Sequence, residues 1–337
     1  MTQKNNISLV EIPDENAWSA ILAGMPTSHV YTSWSWGKYK QRSGWSVRRI
    51  GVCGAGGPEV IGCLQLQKKQ LGPSTLLLVQ GGVHLREPSD SIYHDVLSVF
   101  LQEYVTPRRL TVAIVNQQSG GSQDAELGLL RSGFSPLLSS AMFTYVLDRP
   151  GGAMSGQTLS SNWRHNLKRA QKNANLSCRW VSDRAERAAA VARLEGFYAG
   201  LRSRKSFAAA VNFEHARDIL IEDDCFKIVE ASLNDTVIAT RIGVACNDHM
   251  LDFLAASADA ARNTYANYLL LWEMIKLADS SGKTYFDCGG IQPSESMGVF
   301  NFKKGLGGRV AVNGPLWLAG SGSLVRHAAR LLLSWNP

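Results

Sequence analysis

A chain of 337 residues, 45% hydrophobic and 19% charged, is long enough for two domains and too apolar for disorder. Its 35 Lys and Arg against 28 Asp and Glu suit an anionic partner without demanding one. Six scattered cysteines with no CxxC pair, and seven histidines with no HExxH, argue for reduced core thiols and against a metal site.

The N-terminal stretch MTQKNNISLVEIPDENAW lacks the apolar core of a signal peptide, and no segment approaches a transmembrane span, so a cytoplasmic protein is expected. YTSWSWGKYKQRSGW then gathers Trp34, Trp36 and Trp45 with Lys38 and Lys40 about one short helix. Aromatics beside cations suit a ligand wall, while a first helix packed on its sheet accounts equally well for the tryptophans. SVRRIGVCGAGGPEVIGCLQLQ reads as a β-hairpin, followed by a strand (STLLLVQGGV), a helix (SIYHDVLSVFLQEYV) and a strand (RRLTVAIV). A sharp Pro/Gly break at Asp148-Arg149-Pro150-Gly151-Gly152 ends this half.

SSNWRHNLKRAQKNANLSCRW opens the second half. Trp163, Leu167 and Ala170 make an inward helical face capped by Ser160 or Ser161, and Arg164, Lys168, Arg169 and Lys172 make a cationic one. Such a face suits phosphate, or else is a solvated surface. LRSRKSF adds Arg202, Arg204 and Lys205 after a long helix. CFKIVEASLNDTVIATRIGVA repeats the hairpin, with a turn at Leu233-Asn234-Asp235-Thr236, and again a strand (HMLDFLAAS), a helix (NYLLLWEMIKLA) and a strand (KTYFDCGG) follow. One order of elements met twice implies a duplicated mixed α/β unit, with domains at 1–150 and 151–337. The chain closes with SLVRHAARLLLSW, an amphipathic helix expected to pack on the second domain.

The stretch YFDCGGIQPSESMGVFNFKKGLGG runs from a strand through a glycine pair to Phe302-Lys303-Lys304, read as a tight turn beyond a strand end. There a lysine can hold the negative charge that develops on a carbonyl oxygen during acyl transfer, with Phe302 fixing the segment. Exposed lysines on a surface loop are the plainer reading. No GxSxG, Walker A or Rossmann fingerprint occurs, so the chemistry would use a substrate that arrives activated. Asp287 would orient the loop or cap a turn, and the sequence offers no general base.

The element order of each half matches the GNAT acyltransferase fold. The motifs W-x-x-x-K, then R-x-N-L-K-R-A-x-K, then D-x-G-G-I with G-V-x-x-F-K-K-G-x-G-G, resemble the Fem family over nearly the whole chain. Those proteins are two-domain GNAT-like peptidyltransferases that move an amino acid from aminoacyl-tRNA to an amine of a peptidoglycan precursor. The resemblance implies Phe302 and Lys303 at the transfer site, with Lys303 on the oxyanion. It implies Lys40, four residues after Trp36, and Arg204 on a substrate phosphate, Lys304 beside the site, and Arg164, Lys168, Arg169 and Lys172 facing tRNA or acceptor phosphates. It implies aminoacyl-tRNA as co-substrate with no resident cofactor, an acceptor amine on a cell-wall or antibiotic precursor, and direct attack without an acyl-enzyme. A monomer is expected, and a lipid-linked acceptor would bring peripheral membrane contact. The chain has no room for the long helical hairpin that some members insert, and Cys288 stands where a bulkier residue is usual.

The alternative is an acyl-CoA-dependent N-acyltransferase, which would need a glycine-rich pyrophosphate loop. The corresponding places read Arg262-Asn263-Thr264-Tyr265-Ala266-Asn267 and Arg86-Glu87-Pro88-Ser89-Asp90-Ser91, poor cradles both. The first half carries no lysine pair after its VAIVNQQSGG strand and is expected to bind rather than catalyse.

Overall fold

The computed structural model describes residues 7–54, 57–105, 110–117, 122–137, 142–151, 158–202, 211–294 and 296–335. They form two units, one of residues 1–142 and 312–337, the other of residues 143–311.

The first unit starts with β1 (Ser8–Glu11), α1 (Glu15–Ala23) and α2 (Trp34–Arg42). A meander of β2 (Ser46–Cys53), β3 (Val60–Leu71) and β4 (Ser74–Leu85) follows. Then come α3 (Asp90–Tyr104), β5 (Leu110–Gln117), α4 (Gln123–Arg131) and β6 (Ser135–Leu137). In the second unit β7 (Met142–Asp148) precedes α5 (Ser161–Lys172), β8 (Leu176–Val181), α6 (Arg184–Arg202) and α7 (Phe213–Glu222). Its meander is β9 (Phe226–Leu233), β10 (Thr236–Ala245) and β11 (His249–Ser257). After it come α8 (Ala260–Thr264), α9 (Ala266–Ser280), β12 (Tyr285–Gly290), α10 (Met297–Lys304) and β13 (Arg309–Asn313). The chain ends with β14 (Leu316–Gly320) and α11 (Ser323–Trp335).

The expected duplication holds at the level of strand order. One sheet runs β1-β2-β3-β4-β5-β14-β6, the other β8-β9-β10-β11-β12-β7-β13 when read from the matching edge. Each has one parallel pair, β4 with β5 and β11 with β12, around a helix: α3 in the first unit, α9 in the second. The hairpin turn Asn234-Asp235 has φ of 46° and 61°, the pair of left-handed residues that suits the twist of a two-residue connection.

The domain boundary needs correction. Cutting at 150 places β7 with the first half and β14 with the second, yet β7 lies between β12 and β13, and β14 between β5 and β6. The last strand of each half thus serves the other half's sheet, because the inner edge of β5 or β12 must be paired and the partner comes from the far repeat. For the same reason α11 packs on β14 and β5 of the first unit, not on the second domain as its sequence position suggested. All six cysteines are free thiols; four are buried, and Cys178 and Cys225 are partly so.

The second core is built on α5 and α9. Ser160 caps α5 through its Oγ, and Trp163, Leu167 and Ala170 are buried as the helical spacing predicts. Trp163 packs edge-on to Tyr268 and donates from its indole nitrogen to the Phe302 carbonyl (3.1 Å). Removing residues 313–337 is expected to strip hydrogen-exchange protection from β5 amides while β9–β11 amides keep theirs; the boundary at 150 would require the reverse. Trp163→Ala should cost about 3–5 kcal/mol in denaturant unfolding, the usual range for emptying a buried aromatic site.

Candidate active site

Parallel strands β11 and β12 stay in register for His249↔Tyr285, Met250↔Phe286 and Leu251↔Asp287. They then part, and the pairing of β12 with β7 slips between Asp287 and Gly290. The slip is permitted by Gly289, whose φ of 77° is left-handed. A side chain there would also sit 3.0 Å from the Asp252 carbonyl oxygen and 3.6 Å from Lys303 Nζ. Where the strands separate lies a cavity of about 740 Å³, walled by Asp252–Ser257 of β11, Gly289 and Gly290, and Tyr265, Asn267, Tyr268, Phe302 and Lys303 among others.

The Phe302-Lys303-Lys304 segment is not a turn but the end of α10. Ser296 to Lys304 contains no proline, so Gly298 and Val299 weaken the helix without breaking it, and it ends at Gly305. Helical geometry then separates the two lysines. Lys303 points inward, 9% exposed, and donates from Nζ to the Gly290 carbonyl (2.7 Å). Lys304 is exposed, its amine 5.8 Å from the Phe300 ring, and does not line the cavity. Burial lowers the Lys303 pKa below the usual 10.5, helped by Arg241 and opposed by Asp252 and Asp287. Phe302, half-buried, lies edge-on to Tyr268 (4.8 Å) and near Trp163 (6.1 Å), and lines the cavity. The glycines after Lys304 permit close approach: a Cβ on Gly307, at φ 79°, would collide with the Thr158 carbonyl.

Two groups that the sequence reading passed over belong to this cavity. Arg241 of β10 and Asp252 of β11 form a buried ion pair (Nη1 to Oδ2, 2.6 Å), side chains 5% and 9% exposed. Their signal was available as lone charges within the apolar runs IATRIGVA and HMLDFLAAS. Asp287, read as a loop-orienting group, accepts from the Gly289 N–H (2.8 Å), and burial raises its pKa.

The cationic face of α5 is real but divided. Arg164, Lys168 and Lys172 are exposed, without a salt bridge among the described residues. Arg169 instead donates to the Tyr265 hydroxyl (2.7 Å) and stacks on that ring, so it braces the cavity wall. Arg204 lies outside the described residues. Trp36 and Lys40 belong to the first unit. Trp36 is core, its indole donating to Gln80 Oε1 (3.1 Å), which settles the tryptophan as packing rather than ligand wall. Lys40 stands 5.7 Å from the Trp36 ring and 5.4 Å from that of Trp45, its pKa lowered by burial and by Lys69.

The loop where a coenzyme pyrophosphate would sit, Arg262 to Asn267, lacks the glycines that permit close approach. Tyr265, at φ 59°, caps α9; its N–H and that of Tyr268 bond to the carbonyls of Arg262 and Tyr265. In the first unit the gap that corresponds to the cavity is filled. β4 and β5 stay paired to Gly81↔Gln117, and the Gln117 amide then accepts from the Val83 N–H (3.0 Å) and donates to its carbonyl (3.2 Å). Among the described residues no cluster of His, Cys, Asp or Glu could hold a metal ion, and no helix is long and apolar enough to cross a membrane. Gly289→Ala should destabilise by roughly 1–3 kcal/mol in urea unfolding, the expected cost of a left-handed Cβ against a backbone oxygen.

A family model described as an acetyltransferase (GNAT) domain matches residues 160–304, which spans α5 to α10. No curated protein matches the chain. Among solved structures, FemX superposes with a TM-score of 0.76 at 17% identity, covering 97% of this chain and all of the other. A conserved protein of unknown function from Bacteroides thetaiotaomicron gives 0.63 at 10% identity, with 93% and 98% covered. L-PGS from Bacillus licheniformis gives 0.58 at 13% identity, with 96% of each chain covered. The chain therefore is a mixed α/β protein with the Fem-like, tandem GNAT fold.

Proposed function

We propose that the protein is an aminoacyltransferase that moves an amino acid from aminoacyl-tRNA to an amino group of a peptidoglycan precursor or a related peptide, forming an amide bond. The observation that carries this reading is Lys303, a buried amine anchored to a strand-end carbonyl at the wall of the cavity where β11 and β12 part. Attack of an amine on an ester carbonyl places negative charge on oxygen. A cation fixed in a shielded site needs no reorganisation to meet that charge, an effect worth a few kcal/mol. Phe302, Tyr268 and Tyr265 supply flat walls suited to holding an acyl group. The exposed Arg164, Lys168 and Lys172 present phosphate-binding charge on the same unit. The Fem-like fold supports the reading, and the glycine-free loop from Arg262 to Asn267 disfavours a coenzyme thioester.

The donor ester arrives activated, so positioning and oxyanion stabilisation carry the reaction, and the amine attacks it directly. The open gap in the second unit and the filled one in the first support a transfer site in the second. The first is left to binding, with Lys40 available to a phosphate.

Purified protein, given total tRNA charged with labelled amino acids together with amine-bearing cell-wall precursors and peptides, is expected to transfer label in an RNase-sensitive way. Transfer from acetyl-CoA alone in a parallel reaction would replace this reading with ordinary N-acylation. Lys303→Ala should lower transfer by about 10²–10³-fold, the usual loss for one oxyanion donor. Because the charged amine is the active form and its pKa is lowered, transfer should decline on the alkaline side below pH 10.5. Lys303→Arg should remove that decline. Lys168→Ala with Lys172→Ala should weaken tRNA binding and flatten the log K against log salt slope by about 1–2.

A further inference from the structure

The Arg241–Asp252 pair leaves two buried atoms without a hydrogen-bond partner among the described residues, Arg241 Nε and Asp252 Oδ1, and the carboxylate oxygen is the one able to accept a proton. Asp252 Oδ2 meets Arg241, but Oδ1 is buried and has no hydrogen-bond partner among the described residues. A carboxylate oxygen withdrawn from water and left unpaired costs more than almost any other buried polar group, so its persistence calls for a partner that comes and goes. Oδ1 presents almost no accessible surface, and Asp252 lines the cavity, so a donor that reaches this oxygen approaches from the cavity side as the side chain shifts. The position also borders the lysine: Gly289 lies against both the Asp252 backbone and Lys303 Nζ. Arg241 holds the carboxylate in place, and the β10–β11 bulge at Ile242/Gly243 sets the two side chains on one face. The site thus pairs an oxyanion donor, Lys303, with a nearby acceptor that has a free lone pair.

We propose that Asp252 Oδ1 is the proton acceptor for the attacking amine, adding to positioning and oxyanion stabilisation a role that the sequence did not reveal. The assignment rests on the acyl-transfer reading above. The amine lone pair forms the C–N bond as the carbonyl π electrons move onto oxygen beside Lys303. Asp252 Oδ1 takes the N–H proton. When the tetrahedral centre collapses, the ester C–O bond breaks with its electron pair on the leaving oxygen, and the proton passes from Asp252 to that oxygen. An ester and a primary amine become an amide and an alcohol, with nothing else consumed.

The test compares wild type, Asp252→Asn, Asp252→Ala, and the double variant Arg241→Gln with Asp252→Asn, which leaves no stranded charge should the single variants misfold. The probe is aminoacyl-tRNA with an amine-bearing peptide found active with the wild type. The expected result is a 10²–10⁴-fold fall in kcat with little change in KM for the donor, in both the single and the double variant, and partial rescue of Asp252→Ala by added formate. A residue that only supports the fold would not respond to formate. A folded variant that transfers at the wild-type rate, or a folded Asp252→Ala that formate leaves unmoved, overturns the assignment. So does a loss confined to donor KM that vanishes with a donor lacking its α-amino group, since that would place Asp252 on the donor's ammonium. If the wild type itself transfers nothing from any ester, the functional reading fails first. If it transfers and only the Asp252 arms disagree, this inference alone falls.

Discussion

The parting of two parallel strands is the constraint on which the candidate site depends. A parallel pair satisfies its backbone groups only while in register, so separating β11 from β12 leaves groups that something else must meet. Here β7 and Lys303 do so: Gly290 takes up the register with Thr144, and its carbonyl accepts from the lysine amine. The left-handed Gly289 makes the change of direction possible within a single residue. The lysine is thereby part of the sheet's hydrogen bonding as well as of the cavity.

Placing charge there carries a cost that the packing has to offset. Lys303, Arg241 and Asp252 are largely buried around one cavity, and Asp287, buried but not lining it, is close enough to act on the Lys303 charge. Two cations and two carboxylates compensate one another overall, but the compensation is uneven. Burial lowers one pKa and raises another, and one carboxylate oxygen is left unmet. Such uneven satisfaction is what a site for a changing charge distribution needs, whereas a purely structural ion cluster gains by completing its hydrogen bonds. The fully buried Glu230 shows the contrast. It receives Arg193 on both oxygens, with Arg179 and Thr240 in addition, and leaves nothing over.

The two repeats have taken opposite solutions to one geometry. Both carry a meander, a parallel pair across a helix, and an inserted strand from the other half. In the first, Gln117 turns its amide onto Val83 and continues the ladder with a side chain; in the second, the gap stays open and acquires charge. Tyr265 adds a further departure, since an aromatic residue takes the left-handed position at the helix start that glycine would fill without cost. Arg169 steadies that residue from α5, so one member of the basic face is bound to the wall while the others face solvent.

Much of this was legible in the sequence. Hairpins, helices and the repeat followed from period-2 and period-3.6 patterns, from the Asn-Asp turn and from the Ser160 cap, all properties of neighbours in the chain. Trp163, Leu167 and Ala170 were readable as core for the same reason, and the lysine motif marked a segment that lines the cavity. What lay beyond reach depended on residues far apart in sequence. The exchange of β7 and β14 between sheets is decided by which edge lacks a partner, and that no local pattern records. Lys303 and Lys304 look alike until a helix gives each its own direction. Arg241 and Asp252 read as oddities in apolar strands until a bulge brings them together beside a lysine fifty residues on. Local patterning thus determined the elements and their order. Only the tertiary structure decided which strand closes which sheet and which charges share a cavity, because edge pairing and burial are properties of the assembled chain.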